Sequence, residues 1–162
     1  MRRLSLAFVL LFFAIPVCRG QVAENKYLKW LNEDVPYIIE PSEKKTFLAL
    51  KTDAEREQFI KEFWVRRDPD PDTPENEWRD EYYERIAYAN AHFAFGNAPG
   101  WRADRGHVYI VLGKPDAVEA TPSGEIWTYN HLPRAGPTAG PREKFEFVRI
   151  PGTLDLRLKG GD

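Results

Sequence analysis

The side chains able to do chemistry gather in one stretch, GWRADRGHVYIVLGKPD, at positions 100–116. Asp104 offers a carboxylate that could serve as a base or a ligand, and the neighbouring Arg105 a guanidinium that could clamp an anion. His107 follows two residues later, and His131 lies further on, in GEIWTYNHLP. Two imidazoles and one carboxylate make a reasonable metal set, or the centre of a hydrolase, if the strands carrying the histidines pair. The same residues also read as a structural corner. Trp101 would seal one end of the core, Asp104 would accept from turn N–H groups, and Gly106 would permit a close backbone approach. Turn chemistry explains the spacing without a substrate, and the motif holds no second catalytic group. The structural reading is therefore preferred.

Other candidates are weaker. Asp68, Asp70 and Asp72 alternate as in a calcium loop, but Thr73 stands where that loop needs Gly and Arg79 where it needs Glu. A solvated connector is expected instead. Tyr109, Trp127 and Tyr129, with His107 and His131, fall on one side of the expected strands. If that side faces outward it is a binding face for a protein, a peptide or a glycan. The alternative is that a helix or the N-terminal segment covers it.

The elements that must position these groups change character near residue 95. Before it, Tyr27, Trp30 and Leu31 share a helical face, Phe59, Ile60, Phe63 and Trp64 form an apolar stripe, and Trp78, Tyr82, Ile86, Ala89 and Phe93 form another. Ser42, Thr52 and Thr73 are the expected N-caps, with Pro74 at a first helical position. His92 would help finish its helix. After residue 95 the period shortens to two in HVYIVLG, GEIWTYNHLP, KFEFVRI and LDLRLKG, with PRAGPTAGPR as a connector. Helices first and strands second predict an α+β fold, the N-terminal helices packed on one face of a C-terminal antiparallel sheet.

The first twenty residues read as an address. Arg2 and Arg3 precede an apolar run from Leu4 to Val17, too short for a comfortable membrane span. Cys18 and Gly20 suit the −3 and −1 positions of a cleavage site, leaving Gln21 as the new N-terminus and residues 21–162 as one domain. Val17 stands where an acylated cysteine wants a small residue before it, which disfavours a lipid anchor at Cys18. Cleavage would remove Arg2, Arg3 and Arg19, taking the formal charge from −2 to −5. A mildly acidic exported domain suits no nucleic acid, and no membrane span would remain after cleavage. Cys18 is the only cysteine, so cleavage also excludes disulfides, thiol catalysis and cysteine-bound zinc.

GWRADRG, preceded by FWVRRDPDPDTPENEWRDEYYERIAYAN and followed by VYIVLGKPD and EIWTYNHLP, resembles the GWxTD-domain family of exported bacterial proteins. Gly100, Trp101 and Asp104 match the pentapeptide, whereas the family's Thr is Ala103 here, which argues against a nucleophilic role for that position. The resemblance implies no activity. The C-terminal part is more loosely similar to small lipoproteins of the outer-membrane assembly machinery, which are interaction modules. The expectation is an exported, non-catalytic protein that binds a partner in the envelope, with no cofactor and no metal. A hydrolase or metal-dependent enzyme using Asp104, Arg105, His107 and His131 is the first alternative, and a glycan-binding module the second.

Overall fold

The computed structural model describes residues 26–130 and 144–160. The leader at 1–20, His131 and the connector at 133–142 lie outside the described residues. Among the described residues, five helices lead into four strands. The first, α1 (residues 26–34), winds as a π-helix over Trp30–Asp34 and buries Tyr27, Trp30 and Leu31, the face that their spacing marks out. The link that follows is a turn, not a strand, closed by Ile38 and Ile39 N–H groups on the Val35 carbonyl.

Helix α2 (Pro41–Ala49) starts one residue before the expected cap at Ser42. Pro41 presets the first helical residue, and Glu43 reaches back to accept the Glu40 N–H at 3.1 Å, so the chain is helical before Ser42. Helix α3 (Asp53–Val65) starts at Thr52 as expected. Its hydroxyl accepts the Glu55 N–H at 3.2 Å while the Glu55 carboxylate accepts the Thr52 N–H at 2.8 Å. Helix α4 (Glu77–Phe93) is capped by Asn76 and not by Thr73. The Thr73 hydroxyl is occupied in the connector, donating to the Asp70 carbonyl at 2.9 Å. Asn76 is buried, accepts the Arg79 N–H and donates to the Trp64 carbonyl, both at 2.8 Å, so one amide starts α4 and ties it to α3.

The largest departure from expectation is HVYIVLG, which is not a strand. After a 3₁₀ turn (Gly100–Arg102), residues Asp104–Leu112 form α5. A short apolar run bounded by turn residues fits a buried helix as well as a strand, and here tertiary packing decides. Val108, Ile110 and Leu112 are buried together with Gly106, so α5 is apolar on most of its circumference. Arg85 of α4 donates to the Ile110 and Val111 carbonyls at 3.3 and 3.4 Å, and Gly113 leaves the helix at φ +83°.

The sheet is antiparallel in the order β1 (Ala117–Thr121), β2 (Gly124–Thr128), β3 (Lys144–Arg149), β4 (Leu156–Leu158). Strand β1 carries no alternating apolar signal because four of its five residues are exposed. Trp127, Phe145, Phe147 and Leu156 share one face and join the helical residues in one hydrophobic core, which gives the expected α+β arrangement.

Candidate functional site

The GWRADRG stretch sits where α4, α5 and the sheet meet, and close backbone contact shapes it first. A Cβ on Gly100 would lie 1.8 Å from the Ala89 carbonyl oxygen, and one on Gly106 1.9 Å from the Gly100 carbonyl oxygen. The two glycines thus stack the turn against α4 and α5 against the turn. Trp101, 9% exposed, donates its N–H to the Asn90 side-chain oxygen at 3.0 Å. Its carbonyl accepts the Tyr37 hydroxyl at 2.8 Å. Tyr37 in turn lies flat on His107, ring centroids 4.0 Å apart.

The charged residues are spent on the sheet. Asp104 accepts the Leu158 N–H at 2.7 Å through Oδ2, and its Oδ1 lies 3.5 Å from the Arg157 guanidinium. Arg105 donates to Glu125 Oε1 at 3.3 Å and covers the Phe93 ring at 5.0 Å. The same Glu125 oxygen accepts the Trp127 indole N–H at 3.0 Å. Every polar link from Asp104 and Arg105 across to β2 or β4 therefore joins the helical half to the sheet.

The expected pairing of two histidine strands does not occur. His107 lies on α5, stacked on Tyr37, and His131 is outside the described residues. Burial pushes the His107 pKa down, against the opposing pull of Asp104. Among the described residues no group of three His, Cys, Asp or Glu side chains is placed to hold a metal ion. Asp68 and Asp70 each accept a backbone N–H two residues on, at 3.2 and 3.3 Å, which is turn chemistry.

Of the two alternatives for the aromatic side of the sheet, the structure shows the covered one for Trp127 and Tyr129. Trp127 and Tyr129 are 3% and 2% exposed, because they lie on the side of the sheet that the helices cover. The Tyr129 hydroxyl donates to the Gly113 carbonyl at 2.9 Å, anchoring the end of α5. Neither ring can stack on a glycan. Tyr109 alone of the three is partly exposed, stacked on Tyr88 at 4.4 Å.

One groove borders the motif, about 380 Å³ in volume, between α1, α4 and the 3₁₀ turn. Glu33, Asp34, Asn90, Trp101 and Arg102 line it, whereas Asp104, Arg105 and His107 do not. Sequence reasoning passed over Tyr37, Arg85, Asn90 and Glu125, the partners that lock the motif in place. Each sits on another element, and nothing in its local spacing marks it.

A family model described as the GWxTD domain matches residues 14–155. No curated protein and no solved structure matches the chain.

Proposed function

Because the chain belongs to the GWxTD-domain family, we propose that it acts as a non-catalytic module that binds a protein partner in the cell envelope after export. The observation that carries this reading is the commitment of the motif's polar groups to the fold. Asp104 holds β4, Arg105 holds Glu125, and the Trp101 backbone holds α4 and Tyr37. A general acid or base needs a proton position free to face a substrate. Asp104 and Arg105 are instead engaged with the sheet, and His107 is stacked on Tyr37. What remains available for interaction includes the margin of the sheet and its solvent-facing side.

In this reading residues 1–20 are the export signal and cleavage precedes Gln21. Tagged full-length protein made in its own host, then fractionated and N-terminally sequenced, should start at Gln21 outside the cytoplasm. An intact Met1 in the cytosol would remove the export half. For the binding half, crosslinking in intact cells should recover one protein that also binds the purified chain when the two are mixed. Recovery of no specific protein counts against it.

A further inference from the structure

Strand β1 forms one margin of the sheet, with no neighbour on its outer side among the described residues. The phase of the ladder identifies the unused backbone groups. The Arg149 N–H donates to the Ser123 carbonyl at 2.7 Å, so Ser123, Glu125 and Trp127 bond towards β3. Gly124, Ile126 and Thr128 therefore bond towards β1, and through the register they engage Thr121, Glu119 and Ala117. The N–H and C=O groups of Val118 and Ala120 are left pointing away from the sheet. The five residues AVEAT contain no proline and no lysine, and Glu119 is their one charge.

The side chains at this margin differ on the two faces. Val118 is 56% exposed although it lies on the core face, opposite the buried Trp127. Tyr109 lies 6.3 Å from Trp127 and stacks on Tyr88, itself exposed. The apolar layer beneath the sheet thus runs out to the surface beside β1. On the other face Glu119 has no ion-pair partner among the described residues, and its cross-strand neighbour is Ile126.

We propose that the β1 margin accepts an extended segment of a partner protein as a fifth strand, with an apolar side chain against Val118 and a lysine or arginine opposite Glu119. This rests on the protein-binding function proposed above and names its surface. With the segment antiparallel to β1 and Val118 and Ala120 supplying the backbone bonds, the position opposite Glu119 is a non-hydrogen-bonded pair. Facing side chains come closest there, and opposite charges are favoured. A second copy of this chain is the poorer occupant, because two-fold pairing over all five residues sets Glu119 against Glu119.

The test uses a displayed library of random peptides, each roughly twelve residues and long enough for a strand, panned against the purified full-length chain. Enriched peptides should alternate apolar residues with Lys or Arg and slow amide exchange at Val118 and Ala120. Ala120→Pro removes an outward N–H without touching the β2 ladder, so it should weaken binding by about tenfold while the melting temperature holds. Glu119→Lys should move the selection towards acidic peptides, and it serves as the readout if the proline variant misfolds. Peptides that bind wild type and both variants alike, protection that falls elsewhere, or no enrichment at all would each overturn the proposal. A crosslinked envelope partner that binds both variants as well as wild type would remove the β1 margin but leave the protein-binding function standing. Failure to capture any partner, with the peptide results intact, would do the reverse.

Discussion

Ala103 occupies the position where the family's name carries threonine, and its backbone explains what a hydroxyl would do there. It precedes α5 at φ −70°, ψ 150°, and its carbonyl accepts the His107 N–H at 2.9 Å, yet no side chain caps the helix. That is N-cap geometry. Ala103→Thr should place an oxygen within reach of the Arg105 or Gly106 N–H and raise unfolding free energy by about 1 kcal/mol in a urea titration. Asp104→Ala acts in the opposite direction. It leaves the Leu158 N–H without its acceptor and removes an acid from the first turn of α5, a loss on the order of 1–3 kcal/mol with faster amide exchange at Leu158. His107 predicts a pH effect. Its folded pKa lies below that of the unfolded chain, so the unfolded state binds more protons, and stability falls as pH drops below about 6.5. His107→Phe keeps a ring on Tyr37 and should flatten this slope in unfolding curves taken across that range.

At the scale of elements, the helices before residue 95 were legible and the turn into α5 was not. The stripe Trp78, Tyr82, Ile86, Ala89, Phe93 follows one helical face, and α4 buries its inner members as that spacing demands. For Val108–Leu112 the same logic fails, since a helix covered on most sides has no polar face to set the period. Strand β1 was invisible for the opposite reason: it buries too little to need a pattern. Trp101, Asp104 and Gly106 stood out in the sequence, but their partners did not. Asn90 on α4, Tyr37 after α1 and Glu125 on β2 are brought in only by the tertiary fold. Asn76→Ala offers a test of how elements are joined. It removes the α4 cap and the tie to α3 together, although the Trp64 carbonyl keeps the Arg67 N–H, so the cost should be about 2 kcal/mol, read from the denaturation midpoint.

In the whole molecule, helices and sheet share a core and are cross-linked by Asp104–Leu158, Arg105–Glu125 and Tyr129–Gly113. The indoles report on both halves, with Trp30, Trp64 and Trp101 on the helical side and Trp127 in β2. Indole fluorescence and far-ultraviolet dichroism should therefore follow one transition. Two separated midpoints would mean that the sheet melts apart from the helices. The span of the Asp104–Leu158 bond bears on rates as well as equilibria. Its partners stand 54 positions apart, whereas the β1–β2 hairpin closes over a two-residue turn. Contacts so distant in sequence form after the local ones have been made, because the loop between them must first be closed. An interaction absent from the transition state changes escape from the folded state and leaves entry almost untouched. Asp104→Ala should then speed unfolding while refolding keeps its rate, so the motif's carboxylate sets how long the protein stays folded and not how quickly it gets there.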